Sequence, residues 1–269
     1  MTEFLYRFIS PPGKGTPDEA LLCNVITANT IGLSNPRRFN DPIDCRMTFA
    51  KGSTSLSGIR DCLDSTLVRY GPPEHKALAE EALKKFSLFP EAAIEKFRNI
   101  VNAGQNDTRL DDYRFLCLFQ QTDNSMPDDL LLWSHYADGH RGICLQFDKA
   151  ILHEHYVCKP INYTTNLPSF EEYAAADGES FAELVLFRKA KRWEYENEWR
   201  ILLPTHKTDK DMIVLPRGAI SAIIIGCEID PCFQTQIVQW SRKSALALYK
   251  TFKDDFIYGL QIKPFEDSG

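Results

Sequence analysis

Residues 191–203 read KRWEYENEWRILL, and this stretch decides the interpretation of the whole chain. Its polar first half runs into an apolar segment at 201–203, a pattern that predicts a chain entering a buried β-strand. Glu196 and Glu198 are two residues apart, so on a strand their carboxylates share one face, beside Glu194. Like charges at that distance repel each other. A cluster of carboxylates is tolerated on a solvent-exposed surface. Elsewhere it indicates a functional role, such as binding a cation or a sugar or taking part in a reaction.

Length and composition favour one globular domain spanning 1–269. Of the 269 residues 43% are hydrophobic, and the net charge of -6 gives no general attraction to nucleic acid or to an anionic membrane. No stretch approaches the roughly 18 apolar residues of a membrane span, and MTEFLYRFIS at 1–10 lacks the features of a signal peptide. The eight cysteines form no CxxC pair, which is typical of reduced thiols, so we expect a cytoplasmic protein.

The order of the helix and strand signals predicts an α+β fold with a mixed or antiparallel central sheet flanked by helices. Apolar runs between turn residues predict further strands at 3–9, 30–34, 113–119, 141–147, 155–163, 212–215, 219–225 and 256–262. Capping signals predict helices from residue 17, after Asp128 or Asp129, across 169–188 and from Pro231 through Leu248. Another helical pattern, at 53–104, predicts an insertion within the domain that serves as a lid, a partner surface or ordinary core packing.

Several common site motifs are absent from the sequence. The histidines and cysteines show neither HExxH nor a zinc spacing, so we expect no metal site. There is no GxSxG nucleophile elbow, no GxxxxGKS phosphate loop and no GxGxxG after a strand. Gly142, inside a predicted strand, indicates close approach by a ligand or by another backbone.

Two chemistries remain for the acidic stretch. Cleavage at an anomeric carbon builds positive charge on a sugar, which one carboxylate stabilises while the other handles a proton or orients the acceptor. An arginine can neutralise a diphosphate with paired hydrogen bonds, and Arg7 is the candidate, although an inter-strand salt bridge is its alternative role. A magnesium-dependent nuclease would instead combine a lysine, Lys189 or Lys191, with carboxylates such as Asp41, Asp44, Glu196 and Glu198.

Five segments occur in an order that resembles a known family. They are LYRF (5–8), LSNPRRFNDPID (33–44), LLWSHYADGHRGICLQFD (131–148), KRWEYENEWRIL (191–202) and AIIIG (222–226). On these segments the chain is identified as a member of the bacterial family known as domain of unknown function 2971, along nearly its whole length. The family name carries no activity.

The layout also resembles the ADP-ribosyltransferase fold of the arginine–serine–glutamate type. Enzymes of that type carry an arginine on the first strand, a serine segment on a middle strand and a Glu-x-Glu before an apolar strand. Arg7 matches the arginine, and Glu196 with Glu198, followed by ILLP at 201–204, matches the Glu-x-Glu. The resemblance implies that Glu198 holds the nicotinamide ribose and stabilises its cation, while Glu196 positions the acceptor.

The serine element departs from that pattern. Ser34 ends a strand but comes early, and LFQQT at 118–122, in the middle strand, contains no serine. The resemblance implies that His135 or Tyr136 stacks on the nicotinamide. Further candidates for contact with the dinucleotide are Ser34, Asn40, Asp41, His140 and Arg141. For Asn40 and Asp41 the alternative is local, since such side chains commonly satisfy the backbone of a turn.

These implications describe a protein that binds NAD and transfers ADP-ribose to a protein or nucleic-acid acceptor, or hydrolyses NAD. Such an activity suits a toxin or a phage-defence effector. Two alternatives stay open. A non-catalytic interaction module would place Glu198 in a salt bridge with Arg200, Lys191 or Arg192, away from any cleft. The nuclease would need magnesium and would bind no NAD.

Overall fold

The computed structural model divides the chain into two compact units. The first unit comprises Met1–Asn35, Asp112–Pro160 and Tyr195–Gly269, and the second comprises Pro36–Asp111 and Ile161–Glu194. The residues that the structure describes are 3–13, 17–46, 57, 84, 88, 111–121, 125–169, 172, 178–209 and 211–266. The predicted helical insertion at 53–104 lies outside the described residues, apart from three isolated positions.

The first unit is built on an eight-stranded sheet. Its strands, in sheet order, are β12 (Leu260–Pro264), β11 (Ala247–Lys253), β10 (Ile220–Ile225), β4 (Ile143–Asp148), β1 (Phe4–Ile9), β3 (Tyr113–Phe119), β8 (Glu198–Pro204) and β5 (Cys158–Pro160). Neighbouring strands are antiparallel except for β10 and β11, which are parallel. This sheet confirms the predicted α+β class with a mixed central sheet.

Helices flank the sheet of the first unit. They are α1 (Pro17–Ala28), α2 (Leu130–Tyr136), α3 (Lys149–His155) and α5 (Pro231–Ser244), and a small sheet pairs β2 (Thr30–Gly32) with β9 (Met212–Val214). The helix α5 makes the crossover that a parallel pair such as β10 and β11 requires. No helix among the described residues combines the length and the hydropathy that a membrane crossing requires.

The second unit contributes shorter elements. A 3-10 turn covers Pro36–Arg38, and the helix α4 covers Gly178–Leu186. Two strands, β6 (Asn162–Thr164) and β7 (Arg188–Ala190), pair in parallel. A second 3-10 helix, Lys191–Glu196, follows β7 directly and carries the chain from the second unit into β8 of the first.

An aspartate is the N-cap residue of three of the helices. The side chains of Asp129, Asp148 and Asp230 each accept hydrogen bonds from two backbone N–H groups in the first turn of α2, α3 and α5. The first N–H groups of a helix have no acceptor within the helix, and a carboxylate at the N-cap accepts their hydrogen bonds. Its negative charge also interacts favourably with the positive end of the helix dipole. Of the two caps predicted for α2, Asp129 is the one that the structure uses.

The two faces of the sheet bury separate apolar clusters. Side chains alternate between the faces along each strand, so Leu5 and Tyr6 point to opposite sides. Leu5 packs with side chains of α1 and α5 in the larger cluster, on what we call the α1 face. Phe8 packs with Trp133 of α2 in the smaller cluster, on the α2 face, with ring centroids 5.1 Å apart.

The turn between α2 and β4 is a tight backbone structure. Asp138, Gly139 and His140 have φ values of 50°, 61° and 66°, in the left-handed region. The turn closes with a hydrogen bond from the backbone N–H of Gly142 to the carbonyl of Ala137, at 2.9 Å. A Cβ at Gly142 would lie 2.0 Å from the Ile9 carbonyl oxygen. Of the two alternatives for this glycine, the structure shows close approach by another backbone.

The segment after β10 completes this structure. The backbone N–H of Gly226 donates to the Gly142 carbonyl, and that of Glu228 donates to the His140 carbonyl, each at 3.0 Å. A Cβ at Gly226 would lie 2.1 Å from the His140 carbonyl oxygen. Two segments that the sequence singled out, 131–148 and 222–226, therefore meet through their backbones.

Several of the predicted elements are wrong in part, among them the last strand, which covers Leu260–Pro264 rather than 256–262. The strand predicted at 155–163 is divided: α3 ends at His155, and β5 and β6 follow as short strands. The last helix ends at Ser244 rather than at Leu248, because Ala245 takes a left-handed conformation with φ of 53° and the chain then enters β11. Glu196 does not belong to β8, since the 3-10 helix extends through it.

We expect Gly142→Ala to destabilise the protein by about 3 kcal/mol, because the added methyl group must displace the backbone at Ile9. Urea unfolding measures the change. Gly32→Ala is the matched control, since its Cβ would have Met212 Sδ as nearest neighbour at 3.4 Å and its effect should be small. Equal loss of stability in both variants would contradict the close approach.

Candidate functional site

The residue between the two glutamates sets their positions. Asn197 has φ of 44°, so it interrupts the extended chain and β8 begins only at Glu198. Its side-chain amide donates to the Gln120 carbonyl at 2.7 Å, and the Gln120 backbone N–H donates to the Asn197 carbonyl at 3.0 Å. This pair of hydrogen bonds fixes the start of β8 to the end of β3.

Glu198 forms a buried ion pair with Arg200. The two residues are alternate members of β8, so their side chains share a face, and Nε and Nη2 of Arg200 reach Oε1 and Oε2 of Glu198 at 2.7 and 3.1 Å. Only 3% of the Glu198 side chain and 1% of the Arg200 side chain are exposed. The ring of Phe115 lies 5.5 Å from the guanidinium carbon. Two charges so deeply buried require each other, because removal from water is costly for either one alone.

Glu196 is held by Tyr136. The Tyr136 hydroxyl donates to Oε1 of Glu196 at 2.5 Å, and Glu196 is buried. Burial raises the pKa of Tyr136 far above its usual range, the charge of Glu196 and its hydrogen bond raise it further, and the charge of Glu198 adds to this. Both carboxylates therefore act on the same phenol, which stays protonated and donates.

Aromatic rings lie beside the carboxylates. Phe119 and Tyr136 have centroids 5.0 Å apart, and the exposed His135 ring lies 6.3 Å from Tyr136 and 6.4 Å from Tyr195. The Tyr195 hydroxyl and His135 Nδ1 are 3.3 Å apart. The group of Glu196, Glu198, Arg200, Tyr136, His135, Tyr195 and Phe119 is called the carboxylate cluster below. It combines buried negative charge with partly exposed aromatic surface.

Two residues close to Glu198 were not predicted from the sequence. Cys117 pairs in register with Arg200, and burial raises the pKa of the Cys117 thiol well above its usual range, with a further contribution from the charge of Glu198. Tyr195 completes the aromatic part of the cluster. Cys117 carries no sequence signal, because its neighbours depend on the register of β3 with β8. Tyr195 could have been found from its place beside Glu196.

Arg7 leaves β1 on the face opposite to the carboxylates, although its charge still acts on Cys117 of β3. It pairs in register with Leu145 of the larger core and alternates with Tyr6 and Phe8, so its side chain leaves β1 on the α1 face. Glu198 pairs with Phe119, which belongs to the α2 face. Nη1 of Arg7 donates to the Gly32 carbonyl at 2.9 Å, and burial lowers the pKa of Arg7. The structure does not bring Arg7 and Glu198 to one face.

The remaining candidates from the N-terminal half have contacts of a local kind. Ser34 forms an isolated bridge with Phe115 through two backbone hydrogen bonds of 2.7 and 2.9 Å. In the second unit, Asp41 Oδ1 accepts from the Ile43 backbone N–H at 2.8 Å, which is the local turn role. Asn40 is exposed.

His140 and Arg141 belong to the turn after α2. His140 stacks on Trp133 at 6.2 Å, its Nε2 lies 3.3 Å from Ser134 Oγ, and burial lowers its pKa. Arg141 forms a two-point ion pair with Asp138, and those hydrogen bonds raise the pKa of Arg141. The turn accounts for the Arg141 side chain, whereas Nδ1 of His140 is buried without a hydrogen-bond partner among the described residues.

Within the described part of the chain, no three His, Cys, Asp or Glu side chains are grouped as metal ligands. The carboxylate cluster instead presents a paired anion, Glu198, and a hydrogen-bonded anion, Glu196, next to aromatic rings. This arrangement can stabilise a developing positive charge and hold a flat or hydroxylated ligand.

Comparison with known proteins gives one match. Residues 132–201 match the family described as "Protein of unknown function (DUF2971)". The matched segment contains Tyr136, Glu196, Glu198 and Arg200, and it supports the resemblance to that family over these residues. Neither the curated proteins nor the solved structures contain a match to the chain.

We expect Tyr136→Phe to lower the free energy of unfolding by about 1–3 kcal/mol, because Glu196 loses a hydrogen bond in a buried place. Chemical denaturation measures the change. Tyr258→Phe is the control, since Tyr258 is fully exposed and the substitution should change nothing. A Tyr136→Phe variant as stable as the wild type would contradict the interaction.

Loss of one member of the Glu198–Arg200 pair should cost about 3–5 kcal/mol, because the other charge remains buried without its partner. A double-mutant cycle with Glu198→Gln and Arg200→Met should show that the double variant loses much less than the sum of the single ones. The exposed pair Lys253–Glu228, with Lys253→Met and Glu228→Gln, serves as the control and should show little change. Additive losses at 198 and 200 would contradict the coupling.

Proposed function

We propose that the chain is an ADP-ribosyltransferase-like protein that binds NAD and transfers or hydrolyses its ADP-ribose at the carboxylate cluster. The observation that carries the proposal is the pair of buried carboxylates, Glu196 and Glu198, both next to the Tyr136 phenol. The sequence order of Arg7, the α2 segment and the Glu-x-Glu supplies the reaction class by resemblance.

The chemistry needs a fixed negative charge near the anomeric carbon. When the bond between the ribose C1′ and the nicotinamide nitrogen breaks, its electron pair leaves with nicotinamide and positive charge develops on the ribose. Glu198 stabilises that charge, and its two hydrogen bonds from Arg200 keep the carboxylate in one orientation. The bond to the acceptor oxygen, or to water, then forms at C1′.

Glu196 has the role of orienting the acceptor and taking its proton. The Tyr136 hydroxyl donates to its Oε1, which holds the carboxylate in one orientation beside Glu198. The aromatic rings of His135 and Tyr195 offer a stacking surface for nicotinamide at the exposed side of the cluster. Arg7 contributes to the resemblance through its place in the sequence and is given no contact with NAD here, since its Nη1 donates to the Gly32 carbonyl.

One observation favours a second candidate. The Glu198–Arg200 ion pair is the contact that a non-catalytic interaction module predicts, and the side chains of both residues are nearly inaccessible. In that case the cluster stabilises the fold and a partner protein binds elsewhere. The two candidates differ in whether the folded chain binds and consumes NAD.

Calorimetry with NAD and measurement of released nicotinamide test the proposal on the full chain. We expect the wild type to bind and turn over NAD, and we expect Glu198→Gln to reduce turnover about a hundredfold or more, as loss of electrostatic stabilisation does elsewhere. Glu196→Gln should reduce transfer to an acceptor more than it reduces NAD binding.

Glu154→Gln, on the exposed surface of α3, is the matched control and should keep full activity. Near-ultraviolet circular dichroism establishes that each variant is folded. A folded wild type that neither binds nor consumes NAD, or turnover that is unchanged in both glutamate variants, would overturn the proposal and favour the interaction module.

A further inference from the structure

The second unit contains a cavity of its own, with a volume of about 210 Å³. Its walls come from the loop 43–46, the turn 164–168, the helix α4 and the strand β7. The space is several times larger than the minimum that a single water molecule needs. It suits a small ligand or one chemical group of a larger one.

Basic side chains dominate the charged part of this wall. Among the described lining residues, Arg46, Arg188 and Lys189 carry three positive charges and Asp44 carries one negative charge, which gives a net formal charge of +2. Arg188 also donates to the exposed Glu172 at 3.2 Å. The charge balance favours an anion.

Arg46, one of the lining residues, carries a hydrogen-bond donor without a partner in the part of the chain that the structure describes. Nη1 of Arg46 is buried and has no hydrogen-bond partner among the described residues, and Nη2 reaches only the Arg37 carbonyl, at 3.5 Å. A buried N–H group without an acceptor is costly, and a guanidinium offers paired N–H groups that match two oxygens of a carboxylate or phosphate.

Lys189 adds a buried charge to the same wall. Its side chain is 5% exposed, and Nζ lies 3.8 Å from Asp44 Oδ2, which is an ionic contact longer than a hydrogen bond. The same ammonium group lies 5.1 Å from the centre of the Trp193 ring. A lysine is rarely buried to this extent unless it is paired, and here Asp44 is a partner.

The rest of the lining is neutral. Thr164, Thr165 and Asn166 bring hydroxyl and amide groups, and Leu167, Pro168 and Leu184 bring apolar surface. We propose that this cavity binds the oxyanion group, phosphate or carboxylate, of a small ligand with a partly apolar body, and that Arg46 is its principal contact. The site belongs to the second unit and goes beyond the NAD chemistry proposed for the first.

Calorimetric titration with inorganic phosphate and with acetate, at constant ionic strength set with sodium chloride, tests this proposal on the full chain. We expect saturable binding of at least one anion, and the two titrations tell a phosphate site from a carboxylate site. Arg46→Gln should weaken that binding at least tenfold, and Arg46→Lys should restore only part of it, because lysine lacks the paired donors. Arg38→Gln is the control, since Arg38 is exposed in the same unit and does not line the cavity.

A measurement on the wild type keeps the test independent of how the variants fold. Phenylglyoxal modifies accessible arginines, and mass spectrometry locates the modified residues. The anion that binds should protect Arg46 and leave Arg38 unprotected. Absence of saturable binding for both anions, or equal effects at Arg46 and Arg38 in either experiment, would overturn the proposal.

Discussion

The buried ion pair between Glu198 and Arg200 is the constraint on which the centre of the first unit depends. Burial of either charge alone would be costly, so both residues must be placed together. Their pairing requires the observed register of β8 with β3, and this register also brings the Phe115 ring close to the guanidinium. Asn197 then places Glu196 outside the strand but still against Tyr136. The residues that fix the start of β8 against β3 are therefore the same residues that form the candidate site.

Close backbone packing positions α2, the helix that carries Tyr136 and His135. Three successive left-handed residues turn the chain from α2 into β4, and Gly142 and Gly226 allow this turn to contact the end of β1 and the segment after β10. The contacts fix α2 against the sheet, and Tyr136 lies in its last turn. The cluster thus rests on the helix α2 and on β8, a strand paired on both sides, and regular elements of this kind hold side chains in fixed positions.

The sequence predicted what local patterns determine. The apolar runs of β1, β3 and β10 and the cap at Asp129 are visible in the residues themselves, because burial and capping leave periodic signals. The end of α5 was missed because Ala245 takes a left-handed conformation without the glycine that usually marks it. The directions of Arg7 and Cys117 could not be predicted, since they follow from the pairing of β1, β3 and β4, which no single segment encodes. The two glutamates were identified correctly as neighbours, but their shared environment comes from α2 and not from a common strand.

Two polar centres of opposite sign emerge, a carboxylate cluster in the first unit and a basic cavity in the second. The central claim is that the carboxylate cluster is where a nicotinamide dinucleotide is bound. Hydrogen–deuterium exchange of the full chain, with and without NAD, tests it most directly. We expect NAD to slow exchange in peptides that cover 130–140 and 191–198, and to leave the exchange rate of 247–264 unchanged. Unchanged exchange in the first two peptides, or slowing confined to other parts of the chain, would contradict it.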